Sequence, residues 1–369
     1  MIPTVATPRK LRTLIVDDTA LYRRAVTDSL SGLPCLDLIG TASNGRLALT
    51  KLEELQPDLM TLDIEMPELN GIEVLEAISG WRKKPAVIVL SAHTVQGSNL
   101  TMRALELGAF DFVTKPEGVG SLETLKQSLA PRIQAFADRA LARSQTPRMP
   151  MTAEAIIPTG TPTGTSTVQR QSSRAKRLIV IGVSTGGPQA LAQVLPLFPP
   201  DLSIPVLIVQ HMPPLFTQAL AESLQRKCAL KIKEAEHGEV ARPGWAYIAP
   251  GGRHMKIQSL PGGEMRIEIT DDPQENHCRP SVDYLFRSVA LQAPGSAIAV
   301  VLTGMGNDGA QGLRLLKRSG CATIAQDEAS SVVYGMPREA AATGAVDDIL
   351  PLDRIAGHIM QLLGQGKPS

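Results

Sequence analysis

Twice along this chain, short apolar runs alternate with amphipathic stretches of helical length, and that alternation restricts the fold more than any other feature. In residues 10–136 the runs fall at 11–16, 36–41, 58–63, 86–91 and 110–114. After residue 177 they return at 178–183, 206–210, 297–303 and 322–326, with helix-period segments at 189–197, 216–227, 282–292 and 309–319. Runs this short and this uniformly apolar are strands buried on both faces, which in practice means a parallel sheet covered by helices. Parallel neighbours need a crossover between them, and the intervening segments have the right length for one. The expected fold is α/β: a flavodoxin-like doubly wound domain of five βα units, then a second doubly wound, mainly parallel domain. Between 232 and 270 the pattern breaks into short strands punctuated by Pro243-Gly244, Pro250-Gly251-Gly252 and Pro261-Gly262-Gly263, which predicts a small antiparallel portion. No internal repeat is visible.

A length of 369 residues suits two domains of this kind. The stretch 137–176 holds seven Thr and four Pro and lacks a hydrophobic period over 144–173, so it reads as a flexible linker. The domains are therefore expected at 10–136 and 177–364. The net charge of +1 resolves into −2 for residues 1–136, +4 for 137–176 and −1 for 177–369. Neither folded unit carries the basic excess of a nucleic-acid binder, and no basic helix-turn-helix is present, so nucleic acid is not an expected partner. The +4 marks the linker as a candidate docking element. Cys35, Cys228, Cys278 and Cys321 are scattered without a C-x-x-C pair, which argues against a zinc site or a disulfide framework. No apolar run approaches the roughly 20 residues of a membrane span, and the N-terminus lacks the apolar core of a signal peptide. A cytoplasmic protein without direct membrane insertion is the expectation.

Chemistry-bearing residues collect where strands end. Asp17 and Asp18 follow the first strand, Asp63 ends the third, Ser91 ends the fourth, and Lys115 follows the fifth. In a parallel sheet these positions share the carboxyl edge, where such folds bind ligands. Three carboxylates there repel one another unless a cation intervenes, and hard oxygen donors suit Mg²⁺. Lys115 adds a charge for a phosphoryl oxygen, and an ionised Asp63 is a competent nucleophile for phosphoryl transfer. Each acid taken alone also fits a helix cap.

With Asp17-Asp18, Asp63-Ile64-Glu65-Met66-Pro67, Asn70-Gly71, Ser91-Ala92 and Lys115-Pro116, residues 10–136 resemble response-regulator receiver domains. The resemblance implies that Asp63 accepts phosphate from a histidine kinase. It also implies that Asp18, Asp63 and the Glu65 carbonyl hold Mg²⁺, with Asp17 helping through water, and that Ser91 and Phe112 are the switch residues. Receivers often carry Thr where Ser91 stands; the hydroxyl is kept.

In the second half, Gly182-Val183-Ser184-Thr185-Gly186-Gly187 links a strand to a helix. It fits G-x-S-x-G, the elbow that exposes a serine nucleophile, with a helix N-terminus ready for a developing anion. A phosphate-binding loop or a plain structural turn fits the same residues. For a base, His211 ends the strand 206–210 and shares the serine's edge, while His254 and His277 lie in the loop-rich region and are not excluded. For an orienting acid, Asp308 follows the strand 297–303 and Asp327 is its rival. The order Ser, His, Asp is not that of the α/β-hydrolases.

Here residues 177–364 resemble the catalytic domain of the CheB family of chemotaxis protein-glutamate methylesterases. The motifs that carry the likeness are Ile181-Gly182-Val183-Ser184-Thr185-Gly186-Gly187-Pro188, Gln210-His211-Met212-Pro213, Ala249-Pro250-Gly251-Gly252-Arg253-His254-Met255, Arg279-Pro280-Ser281-Val282-Asp283 and Thr303-Gly304-Met305-Gly306-Asn307-Asp308-Gly309. Family members often have Ala in place of Val183. The resemblance implies a Ser184–His211–Asp308 triad, an oxyanion contribution from the Met305 amide and support from Thr185. It further implies hydrolysis of methylated glutamates, and deamidation of glutamines, on methyl-accepting chemotaxis receptors, with no cofactor for the ester reaction and activation by phosphorylation. The competing expectation is a phosphorylation-controlled binding module whose catalytic set is vestigial.

Overall fold

The computed structural model describes residues 9–116, 121–145 and 175–364. The first domain runs β1 (Leu11–Val16), α1 (Ala20–Leu30), β2 (Leu36–Ala42), α2 (Gly45–Leu55), β3 (Leu59–Asp63), α3 (Gly71–Ile78), β4 (Ala86–Ser91), α4 (Val95–Glu106), β5 (Asp111–Thr114) and α5 (Ser121–Gln145). Its sheet is wholly parallel in the order β2-β1-β3-β4-β5. All five residues of β3 are buried, as its position between two neighbours demands. Helix starts are fixed locally. Asn70 accepts from the Glu73 amide at 3.0 Å while Glu73 accepts from the Asn70 amide at 2.8 Å, a closed capping box on α3.

Helix α5 continues to Gln145, so residues 137–145 of the expected linker are helical. The cause is packing: Leu129, Ile133 and Ala137 are fully buried against the sheet, and Ala140 and Leu141 extend the same stripe. The rest of the expected linker, 146–174, lies outside the described residues.

The second domain runs β6 (Leu178–Val183), α6 (Gly187–Val194), a 3₁₀ turn (Leu195–Leu197), β7 (Val206–Gln210), α7 (Phe216–Gln225), β8 (Lys231–Glu234), β9 (Trp245–Ile248), β10 (His254–Ser259), β11 (Met265–Thr270), α8 (Val282–Gln292), β12 (Ala297–Val301), α9 (Ala310–Arg318), β13 (Ala322–Gln326), α10 (Met336–Ala342), β14 (Asp348–Leu350) and α11 (Leu352–Leu362). Seven strands form a parallel sheet, β14-β13-β12-β6-β7-β9-β8. The small antiparallel portion expected from the turn-rich stretch is present as a two-stranded sheet. Among the described strands β10 and β11 pair antiparallel, whereas β8 and β9 extend the main sheet. Strand β9 buries Ala246, Tyr247 and Ile248, side chains on both faces, which is what an interior strand requires.

Each sheet has one point where the chain winds away in both directions, between β1 and β3 in the first domain and between β6 and β12 in the second. Ligand crevices of doubly wound folds open there.

The domains meet through α4, β5 and α5 on one side and α6, α7 and the loop after β13 on the other. Phe112 of β5 stacks on Phe216 of α7 with ring centroids 4.7 Å apart, and both join one apolar cluster with Met102, Leu105, Leu191 and Leu220. A stacked aromatic pair adds about 1 kcal/mol beyond the area it buries. Around it, Glu106 accepts from Ser223 Oγ at 2.6 Å and pairs with Lys227 at 2.9 Å, while Arg139 donates to the Ala329 carbonyl at 2.9 Å. Gln189 also donates to the Ala109 carbonyl.

Candidate active site and phosphoacceptor pocket

The first domain's switch point gathers Asp17, Asp18 and Asp63, with carboxylate oxygens all within 4.8 Å of one another. Asp17 and Asp63 are buried, and Lys115 reaches both, at 2.8 and 2.6 Å. Beyond these ion pairs, Asp17 Oδ2 and Asp63 Oδ2 have no hydrogen bond. Burial pushes the Asp63 carboxyl up to about 6 against the pull of Lys115, and Asp17 adds to the rise. Burial likewise raises Asp17. Two desolvated, under-satisfied acids sharing one ammonium make an all-oxygen donor set that fits a hard divalent cation such as Mg²⁺. Glu65 stands exposed on the loop after β3, and its amide donates to Asp63 Oδ1 at 3.3 Å.

Ser91 does not point at the acids. Its hydroxyl donates to the Gly97 carbonyl at 3.1 Å and accepts from Thr101 Oγ1 at 2.7 Å, which turns it toward α4. Phe112 is buried in the domain contact.

At the second switch point three adjacent strands deliver the expected residues. Ser184 follows β6, His211 follows β7 and Asp308 follows β12. The Ser184 amide donates to the Thr303 carbonyl at 3.0 Å, and the His211 amide donates to the Val183 carbonyl at 3.1 Å, so the strand ends are locked together. Gly186 takes φ 76° to turn the chain into α6. Gly304 lets the β12 loop approach the serine; a Cβ there would stand 2.7 Å from Ser184 Cβ. Met305 is the next residue on that loop.

His211 Nε2 and Asp308 Oδ2 are 2.8 Å apart. Burial opposes a charged His211, yet the bonds to Asp308 and Cys278 outweigh it and raise its proton affinity to about 10. Asp308 is 3% exposed and accepts from six donors. Oδ2 takes His211 and the Val282 amide (2.7 Å), and Oδ1 takes Asn276 Nδ2 (2.8 Å), Ser281 Oγ (2.9 Å), the Asp283 amide (3.0 Å) and the Gly309 amide (3.1 Å). Burial would raise this acid, but the histidine and these donors hold it well below the usual carboxylate range. Two of the amides belong to the first turn of α8, whose positive end faces the carboxylate.

The structure thus brings His211 and Asp308 together with Ser184 on the neighbouring strand. No hydrogen bond joins Ser184 to His211 among the described contacts; His211 Nδ1 faces Cys278 Sγ at 3.7 Å. The rivals are placed elsewhere. Asp327 accepts from the amide and hydroxyl of Ser330 and caps its own turn. His254 is buried against Tyr284 with Nε2 on the Pro273 carbonyl, and His277 is exposed. Thr185 is buried, its carbonyl accepting from Thr303 Oγ1 at 2.9 Å.

Sequence reasoning gave no role to Gln210, Asn276, Ser281 or Cys278. Gln210 was visible in principle as a polar residue ending an apolar strand; its amide nitrogen donates to the Ser184 and His211 carbonyls at 3.0 and 3.2 Å. The other three reach the site through a loop and a helix cap, with no periodic signal.

A receiver-like acidic pocket and a Ser/His/Asp edge on parallel sheets define a response regulator with a hydrolase output. Residues 13–127 match the response regulator receiver domain family and residues 179–359 match the CheB methylesterase family. A protein-glutamate methylesterase/protein-glutamine glutaminase of Desulfotalea psychrophila is 48% identical over 95% of this chain and 98% of its own length. One from a Nocardioides species is 43% identical over 97% of each. The crystal structure of the Thermotoga maritima CheB methylesterase catalytic domain is 38% identical and superposes with a TM-score of 0.50, covering 51% of this chain and all of that one. The chain belongs to the CheB family, enzymes of the protein-glutamate methylesterase/protein-glutamine glutaminase type. Among the described residues no helix is long and apolar enough to cross a membrane.

Proposed function

We propose that Ser184, His211 and Asp308 hydrolyse the γ-methyl ester of glutamates on methyl-accepting chemotaxis receptors in the cytoplasm, and that phosphorylation of Asp63 by a histidine kinase releases this activity. The observation that carries the reading is the His211–Asp308 bond set beside Ser184 at a switch point. Asp308 occupies Nε2, so Nδ1 is the base. It takes the Ser184 proton as Oγ attacks the ester carbonyl, and the proton passes to methanol as the leaving group departs. Water, activated by the same nitrogen, then frees the glutamate. A γ-amide follows the same path with ammonia leaving. The Met305 amide and the N-terminus of α6 are the donors proposed for the oxyanion, and Thr185 supports the nucleophile loop.

Control follows from the domain contact. Phe112 lies on β5, which ends directly before Lys115, and stacks on Phe216 of α7, so the phosphoacceptor pocket and the catalytic domain are mechanically joined. Asp17, Asp18, Asp63 and the Glu65 carbonyl are the groups proposed to hold Mg²⁺, which supplies charge neutralisation for the incoming phosphoryl group. Phosphorylation adds about −2 in charge. Ser91 turning from Gly97 toward that charge would let Phe112 shift and loosen the contact, a population shift from docked to open. The test is methanol release from methylated receptor by wild type and Ser184→Ala, each with and without a small-molecule phosphodonor. Stimulated release in wild type and none in Ser184→Ala is expected. Release by Ser184→Ala overturns the nucleophile assignment, and an unstimulated wild type overturns the control.

A further inference from the structure

The nitrogen assigned as the base has a second candidate client. Cys278 is a free thiol, half-buried, with Sγ 3.7 Å from His211 Nδ1. Its position is built rather than incidental. Glu275 and Cys278 exchange both backbone hydrogen bonds, at 3.1 and 2.9 Å, across a two-residue turn whose members Asn276 and His277 hold φ 53° and 60°. That is the geometry of a tight hairpin turn, and Asn is at ease in it. Arg287 clamps the Glu275 carboxylate with two bonds of 2.6 and 2.8 Å, and Asn276 Nδ2 bridges Asp283 and Asp308. Turn, clamp and bridge aim the sulfur at the imidazole from the side opposite Asp308.

A nucleophile within reach of a base, with the base oriented by a buried acid, is the arrangement that activates cysteine. We infer that Cys278 is a second nucleophile on the His211 base, a modification site for small soft electrophiles of the peroxide class, and that its modification shuts the serine esterase. The Cys278 proton moves to Nδ1, and the thiolate sulfur bonds to one peroxide oxygen as the O–O bond breaks. The departing hydroxide takes the imidazolium proton and leaves as water. Sulfur is oxidised by two electrons to a sulfenic acid, and the peroxide is reduced to water. The new S–OH occupies the space beside Nδ1 that the Ser184 proton must cross. A thiol reductant reverses the step.

The other cysteines have different company among the described residues. Burial pushes the Cys228 thiol up to about 11, and burial also raises Cys35, whose sulfur donates to Gln134 at 3.2 Å. Cys321 is buried beside Ser319. They are internal controls.

The effect on turnover rests on the esterase reading, whereas the reactivity does not. In the full-length protein, alkylation by iodoacetamide and sulfenic-acid trapping after hydrogen peroxide are mapped cysteine by cysteine by mass spectrometry. Cys278 is expected to react about tenfold faster than Cys35 or more, and His211→Ala is expected to erase that advantage. Methanol release should fall in step with Cys278 occupancy, return with dithiothreitol, and be insensitive to peroxide in Cys278→Ser. A Cys278 that reacts no faster than Cys35, an advantage that survives His211→Ala, or equal peroxide loss in Cys278→Ser overturns the inference. Should Cys278→Ser fail to fold, the mapping in wild type and His211→Ala decides alone. Fast labelling of a protein that never releases methanol refutes the esterase reading and leaves the thiol assignment standing.

Discussion

Asp63 and Asp308 are the same residue type in the same kind of place, at a strand's carboxyl edge beside a switch point, 2% and 3% exposed. Their surroundings have opposite sign. Asp63 Oδ2 has only the Lys115 ammonium, shared with Asp17, and burial lifts the carboxyl to about 6. Asp308 is gripped by six donors and held far below its ordinary value. The number of donors, not the depth of burial, separates an acid with lone pairs to offer an electrophile from an acid whose task is to keep a histidine still.

Replacing each by its neutral isostere should therefore move the protein in opposite directions. Asp308→Asn presents an NH₂ to a cage of donors and removes the charge that stabilises the His211 imidazolium. Methanol release should fall by about 10⁴-fold, and unfolding by denaturant should show a loss of about 3 kcal/mol. Asp63→Asn relieves repulsion with Asp17. It should abolish stimulation by a phosphodonor, leave unstimulated release intact, and raise stability by about 1 kcal/mol. A stabilised Asp308→Asn or a destabilised Asp63→Asn would remove the contrast.

Acidity offers a second route to it. Phosphoryl transfer needs ionised Asp63, so the rate of phosphate incorporation should decline as pH falls through about 6. Ester hydrolysis needs neutral His211, so unstimulated release should keep rising with pH toward about 10. The stability linkages also diverge. The His211–Asp308 pair stabilises the fold most fully between the ordinary carboxylate and histidine values; it is lost in acid as Asp308 protonates below its ordinary 3.8, and in base as pH rises from 6.5 through about 10 and His211 deprotonates. Asp63 favours the fold while protonated and ceases to do so as pH rises from 3.8 through 6. Incorporation that is flat between pH 5 and 7, or release that peaks near the ordinary histidine value, would show that these environments are wrongly read.

How much of this was legible depends on what each feature leaves in a linear chain. Buried parallel strands leave apolar runs, so β1, β4, β6, β7 and β13 fall where the runs predict them. Strand ends leave polar residues after such runs, which is why Asp63, Ser184 and His211 could be named. The selection of Asp308 over Asp327 needed the family resemblance, because both follow strands; the difference is the α8 N-terminus, present only in three dimensions. The parallel pairing of β8 and β9 was hidden because the Pro-Gly turns around them look like hairpin turns, whereas β9 runs parallel to both β7 and β8. The continuation of α5 was hidden by the Thr- and Pro-rich composition of the stretch that follows it, while its burial comes from the sheet beneath it. Cys278 gave no signal, since a loop residue acquires chemistry only from what it is brought to face.

The contact between the two sites is the remaining place where the comparison can be sharpened, and its most separable part is electrostatic. Glu106 sits on α4 of the phosphoacceptor domain and meets Ser223 of α7 at 2.6 Å, and Lys227 at 2.9 Å and Arg226 at 3.8 Å just past the end of that helix in the catalytic domain. The hydroxyl and ammonium contacts outweigh burial and lower its carboxyl. The group is at the rim, 19% exposed, so the ion pairs are worth only about 0.5 kcal/mol after screening. Glu106→Gln keeps the shape and one acceptor while removing the charge, and it touches neither aspartate. Unstimulated methanol release should rise about twofold in dilute buffer. Wild type and variant should converge in high salt, because screening already weakens the docked form of the wild type. An unchanged rate in dilute buffer would mean that the Phe112–Phe216 stack and its apolar surroundings hold the domains together without help from charge.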